Sequence, residues 1–272
     1  MKTRTALASL AAAVAITLPA RGSCQDAARP ASALGFSVGV ADFHQRDEYL
    51  APAAYRGTDL AGSVLFERRT ARTVLAIEAT ASVGGINSAA LPRDVEQYVA
   101  RLSVAVLRAL GDPDRPGRRL TLYAGGGVST FGAITDFKAT DAVYGYSYGD
   151  MSWYWSHSAD LRARAEYRTA ARGLAIEVTS PMIRLVSRPE NGKAYNARNE
   201  RIIAAWPKAI TGGRMEFVWS RLAVSGRVEY RQQLGGRTRV RVAYDFAYAS
   251  SDRPLPLGMY LNQLVVGLLL PI

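Results

Sequence analysis

From Ala33 onward the chain alternates apolar and polar residues at every second position, in blocks of about 11–15 residues. An extended strand points successive side chains to opposite faces, so this period specifies strands with one apolar face; an amphipathic helix would need a 3.6-residue period. The clearest block runs from Trp153 to Arg168. Trp153, Trp155, His157, Ala159, Leu161, Ala163, Ala165 and Tyr167 share one face, and Ser156, Ser158, Asp160, Arg162, Arg164 and Glu166 share the other. The same reading along the chain predicts strands near 33–43, 58–68, 72–83, 97–109, 119–131, 153–167, 173–186, 213–233, 237–249 and 259–271. Block 213–233 changes phase between Trp219 and Leu222, which makes it either one long bulged strand or two short ones.

These blocks are longer than the five or six residues of an average globular strand and suit the roughly 9–11 residues that a tilted strand needs to span a bilayer. The connections between them alternate in length, at about 14, 3, 13, 9, 21, 5, 26, 3 and 9 residues. A ten-strand barrel with both ends in the periplasm has its odd connections outside as long loops and its even ones inside as short turns. The short links carry turn chemistry, Gly111-Asp112-Pro113 and Leu234-Gly235-Gly236. Aromatic residues gather near strand ends: Tyr98, Trp153, Trp155, Trp219, Tyr248 and Tyr260 at the outer ends, and Phe36, Phe66, Tyr167 and Tyr230 at the inner ones, where interface girdles belong. The expected fold is therefore all-β, an antiparallel transmembrane β-barrel of about ten strands with short periplasmic turns and long extracellular loops. No run approaches the 18 or so apolar residues of a transmembrane helix.

The first 24 residues read differently. Lys2 and Arg4 precede an apolar run from Ala6 to Leu18, followed by Pro19 and the small residues Gly22, Ser23 and Cys24, the pattern of a secretory signal. The expected division is a signal peptide over 1–24, a short periplasmic segment over 25–32 and the barrel domain over 33–272; a cut after Ala20 is the alternative. Arg21 stands where a lipoprotein signal wants an aliphatic residue, which argues against lipidation of Cys24. Cys24 is also the one cysteine, so internal disulfides and Cys-x-x-Cys zinc sites are excluded, and no metal or cofactor is expected. The formal charge of +11 falls to about +8 when Lys2, Arg4 and Arg21 leave with the signal. Charge alone would admit a nucleic-acid partner, but an exported envelope chain meets anionic lipopolysaccharide instead. Outer-membrane lipid, lipopolysaccharide and the insertion machinery are the expected partners, and no nucleic acid is.

The last strand resembles the final membrane strand of the bacterial outer-membrane β-barrel class, which carries a glycine followed by hydrophobic residues at alternate places. Gly267, Leu270 and Ile272 occupy the matching positions, with Tyr260 at the start of the strand. The chain departs from that pattern in having Ile272 at the terminal aromatic position, after Pro271. The resemblance is architectural and implies the fold, not a particular activity.

If the apolar faces meet lipid, the polar faces line the lumen. The inward basic residues are then Arg101, Arg162, Arg164, Arg227, Arg231, Arg239 and Arg241, against Glu67, Glu78, Asp160, Glu166, Glu177, Glu229 and Asp245. Eight strands enclose a space just filled by side chains and ten give slightly more, so this balanced set predicts an ion-pair network that closes the lumen. The rival reading is a narrow arginine-lined path for anions.

A hydrolase is the other class to weigh, since some outer-membrane barrels are proteases or lipid-modifying enzymes that use histidine. Only His44 and His157 exist. Asp42 and His44 share a strand face, like the Asp–His pair of ten-stranded omptin proteases, but their parity follows Phe36 and Val38 on the lipid side. His157 faces away from Ser156 and Ser158, so the His-x-Ser arrangement of a lipid A deacylase is not formed. Gly125-Gly126-Gly127 lacks the Gly-Lys-Ser/Thr of a phosphate loop and reads as close packing within a strand. The outer loops remain, with Tyr144, Tyr146 and Tyr148 interleaved with glycine in one, and Arg188, Lys193, Arg198, Arg201 and Lys208 in another, as candidate binding residues. The expectation is a non-enzymatic envelope barrel, structural or surface-binding through these loops.

Overall fold

The computed structural model describes residues 31–48, 54–88, 94–112, 119–138, 150–188, 195–196, 213–218, 222–235, 238–252 and 256–272. The strands are β1 (Ala31–Asp47), β2 (Ala54–Arg69), β3 (Thr73–Asn87), β4 (Asp94–Ala109), β5 (Leu120–Lys138), β6 (Asp150–Arg168), β7 (Arg172–Ser187), β8 (Tyr195–Asn196), β9 (Arg214–Phe217), β10 (Ala223–Gly235), β11 (Thr238–Ser251) and β12 (Leu257–Pro271). Every pairing is antiparallel. Ten long strands run round the ring in the order β6-β5-β4-β3-β2-β1-β12-β11-β10-β7, and β6 pairs with β7 to close it. The chain's first and last strands are neighbours, from Ala33 opposite Pro271 to Asp47 opposite Leu257. Among the described residues no helix is long and apolar enough to cross a membrane.

All ten predicted blocks are present, but most are longer than predicted, up to 19 residues in β5 and β6. The extension is mainly at the loop end. It shortens the connections after β1 and β3 to 48–53 and 88–93, so that 110–119 at the turn end is longer than either. The loop-length asymmetry is accordingly weaker than expected. Its cause is visible in β1. Phe36, Val38 and Val40 are exposed on the outer face while Ser37 and Gly39 face in; two residues further, Asp42, His44 and Arg46 take the outer face while Ala41 and Phe43 are fully buried inside. The alternation keeps its period but reverses its polarity where the strand leaves the lipid. At about 3.3 Å per residue, strands of this length tilted by about 40° overshoot an apolar band about 25 Å tall. The strand continues into water, where it needs polar residues outside and apolar ones inside.

The phase change near Trp219 resolves into two strands. β9 pairs with the loop end of β7, and β10 with its turn end. Between them Ser180 and Pro181 have no register partner on that side, and Val218 N–H donates to the Met182 carbonyl. On its other side β7 bulges against β6 between Ala159 and Asp160. Pro181, which has no N–H to donate, sits in this interruption.

Glycines let the strands of so small a ring approach one another. A Cβ on Gly125 or Gly127 would collide with the carbonyls of Val106 or Val104 in β4, which explains the glycine triplet as packing. At the closing seam a Cβ on Gly267 would meet the Phe36 carbonyl, whereas one on Gly258 in the same strand would meet nothing within 4 Å. Gly267→Ala is therefore expected to destabilise the barrel by about 1–3 kcal/mol, the usual cost of overpacking. Its urea midpoint and its heat-modifiable fraction on a gel should both fall. Gly258→Ala should match the parent, and equal effects from the two would show that the seam is not tight.

Candidate functional site

The turn-side half of the interior is held by charge. Arg227 binds Asp245 and Glu78, each at 2.6 Å. Arg241 binds Glu78 at 2.9 Å and Glu229 at 2.7 Å, and Arg231 joins Glu229 to Glu67. Arg69 then joins Glu67 at 2.5 Å to Glu166 at 2.8 Å, and Arg168 ends the series on Glu166 at 2.7 Å. These contacts form one chain of alternating sign from Asp245 to Arg168. Arg164 lies 3.5 Å from Glu166, 3.5 Å from Glu177 and 3.9 Å from Glu229, and Arg162 branches to Glu177 at 3.4 Å and Asp160 at 3.3 Å.

Several links cross the lumen instead of running along the wall. β10 and β3 stand half a turn apart in the ring, and Arg227 of β10 reaches Glu78 of β3. Arg231 of β10 reaches Glu67 of β2, and Arg69 of β2 reaches Glu166 of β6. Arg241 lies at the centre, 0% exposed, and also points at Ser37 and Ser63 Oγ at 3.4 Å. A guanidinium presents five donors in a rigid fork, which lets one arginine bind two carboxylates from different strands.

The membership differs in part from that read in the sequence. Arg162, Arg164, Arg227, Arg231 and Arg241 join all seven inward carboxylates, and the other two arginines are Arg69 and Arg168, just beyond the predicted strand ends. Arg101 and Arg239, expected among the network, make no ion pair among the described residues; Arg239 is exposed at the turn-side mouth.

The loop-side half holds an apolar cluster, which the uniform lumen expected from the alternation did not include. Phe43, Tyr55, Ile86, Val95, Val99, Tyr154, Met259 and Val265 pack into one buried cluster. A few polar bonds thread it: Thr135 Oγ1 lies 2.7 Å from Gln97 Oε1, and Arg184 binds Glu216 at 2.8 Å. Arg188, read as an exposed loop residue, is buried at 7% exposure and bonded to Asp47 at 2.8 Å, because β7 carries it to the rim of the ring. Tyr144, Tyr146, Tyr148, Lys193, Arg198, Arg201 and Lys208 lie outside the described residues.

Both histidines stand on the outer face. His44 stacks on Tyr260 with ring centroids 5.7 Å apart, and its neighbour Asp42 is bound to the exposed Arg56 at 2.9 Å. His157 lies between Thr130 Oγ1 at 2.9 Å and Trp155 Nε1, which donates to it at 3.1 Å. Of the aromatic residues expected in girdles, Phe36, Tyr98, Tyr167 and Tyr260 are exposed on the outer surface, whereas Trp153 is largely covered and its indole approaches Ser187. Trp219 lies outside the described residues. Among the described residues no three His, Cys, Asp or Glu side chains are grouped to hold a metal.

No protein-family model matches the chain, and no curated protein matches its sequence. Solved structures do resemble it. The outer-membrane protease OmpT of Escherichia coli superposes with a TM-score of 0.53 at 9% identity, over 89% of this chain and 97% of that one. Ail of Yersinia pestis (TM-score 0.33, 9% identity, 88% of this chain and 99% of that one) and an outer-membrane channel from Pseudomonas putida F1 (0.36, 10%, 93% and 99%) are more distant, and only the first likeness supports the fold.

The charge chain makes a stability prediction. Glu229→Ala would leave Arg231 and Arg241 buried without their shared carboxylate, at a cost of about 3–5 kcal/mol. The exposed Arg46–Glu48 pair is worth about 0–1 kcal/mol, so Arg46→Ala should hardly move the urea midpoint. Equal midpoints for the two variants would show that the chain is not structural.

A closed ring of ten strands, with leucine, valine and isoleucine exposed around its outside, fits a bilayer and not water. In fold the chain is a closed ten-strand antiparallel β-barrel of the kind seen in bacterial outer-membrane proteins.

Proposed function

We propose that the protein is a closed, non-conducting envelope barrel whose work is done at its loop end, as a structural element or a surface for binding. The observation that carries this reading is the set of arginine–carboxylate bonds that cross the lumen from β10 and β11 to β2 and β3. An ion on that path would have to break bonds between buried charges, and the apolar cluster beyond them offers it nothing in exchange. The outward placement of His44 and His157 speaks against a hydrolase working from the lumen. On the outer surface near the loops Arg46 and Arg56 are more than half exposed, which together with the basic excess of the chain favours lipopolysaccharide phosphate as the contact there.

Planar-bilayer recording tests the closed lumen. The purified barrel is expected to insert without a steady conductance. A steady anion-selective conductance, abolished by Arg241→Glu, would replace this reading with that of a narrow channel.

A further inference from the structure

Between the two halves of the interior lies a cavity of about 90 Å³. Its walls are apolar where Phe43, Phe131, Met259 and Leu261 face it, and the small inward residues Ala247 and Ala249 of β11 leave it room. At its polar end stand Arg101 and Ser129. Ser129 and the groups behind it already have partners: Ser129 Oγ is 2.8 Å from Ser158 Oγ, Ser158 donates to Asp160 at 2.6 Å, and Asp160 holds Arg162. Arg101 has none among the described residues. Its electrostatic neighbours are the cations Arg162 and Arg227 and the carboxylates Glu78 and Asp245, and both of those carboxylates are bonded to Arg227.

An unpaired guanidinium facing a mostly apolar space fits one class of ligand. A carboxylate matches the fork of an arginine with two parallel bonds, and an alkyl body matches the walls. Size narrows the choice, because a space of about 90 Å³ limits the alkyl body to a few carbons. The wall beside the cavity is also interrupted. Pro181, Thr179 and Ala223 line it, at the place where β7 bulges against β6 and loses its ladder to β10 before β9 takes over. Such interruptions are found next to binding and active sites, where they re-aim side chains or end a pairing.

We propose that this cavity binds a short-chain aliphatic monocarboxylate, with the carboxylate on Arg101 and the alkyl chain among Phe131, Met259 and Leu261. The site is independent of whether the lumen conducts, since it lies beside the charge chain and uses none of its bonds.

Sodium butyrate is the probe, titrated by calorimetry into the full barrel folded in detergent micelles. One saturable site is expected, weakened about tenfold or more in Arg101→Gln, which removes a charged hydrogen bond. Arg101→Gln should keep the parent's heat-modifiable migration, because no ion pair is lost. Ala247→Phe, which fills the cavity and keeps Arg101, should also abolish binding. n-Butanol and inorganic phosphate should each bind at least tenfold more weakly than butyrate. The proposal is overturned by any of four results: no saturable butyrate binding, unchanged binding in Arg101→Gln, phosphate binding as tight as butyrate, or unfolding of Arg101→Gln, which would make Arg101 a structural group.

Discussion

The ladder between β1 and β12 joins the first and last strands and leaves the ten long strands of the ring without a free edge, and in a hydrocarbon phase that closure is obligatory because an open edge would leave a row of unpaired N–H and C=O groups. Closure fixes the interior as well. Ten strands enclose little more than their own side chains, so an inward residue is packed against residues from the far wall whether or not the two are near in sequence. A charge in that space has little water and must find its opposite across the lumen, as Arg241 does on Glu78 and Glu229. The alternating chain from Asp245 to Arg168 is thus a consequence of a small closed ring that carries charge on its inner face.

An apolar interior could have been packed more cheaply, since replacing buried ion pairs with hydrophobic residues is often neutral or stabilising. What the charges supply within the lipid band is register. A slip of one residue would turn Arg162, Arg164 and Glu166 of β6 toward lipid, and a basic residue at the midplane costs about 2–4 kcal/mol. Beyond the band the same logic runs in reverse. Asp42, His44 and Arg46 of β1 meet water outside, so Ala41 and Phe43 can form an ordinary core inside. One barrel therefore carries two opposite alternations end to end, with crossing ion pairs inside one half and an apolar cluster inside the other.

The faces of the strands could be read from the sequence because a period of two needs no knowledge of neighbours. Which inward arginine meets which carboxylate could not, because the crossing contacts depend on ring order and tilt. Arg69 and Arg168 share parity with Glu67 and Glu166 but lie one residue beyond the strand ends that the alternation marks. The loop-side core was hidden by the polarity reversal: Phe43, Ile86 and Met259 look like strand ends when the apolar face is assumed to stay outside. Arg188 resembled a loop charge until the extended β7 brought it against Asp47. The break at Pro181 shows in the sequence as a phase change in the partner strand, but the consequence for the ladder needs the pairing of β7 with both β9 and β10.

Arg101 and Arg241 show where pattern stops being informative. Both are inward arginines of membrane strands, and nothing in their local sequence separates them. Arg241 of β11 looks across at β3, where Glu78 waits; Arg101 of β4 looks toward β11 and β10, where Asp245 is already bonded to Arg227. With seven carboxylates matched by seven other arginines, the network is electrically complete without Arg101. A cation left over in a low-dielectric interior lowers stability, and in natural proteins such local departures from good packing concentrate where a ligand is bound. Here the surplus charge borders a cavity and a broken ladder, and those three irregularities meet at one level of an otherwise regular barrel.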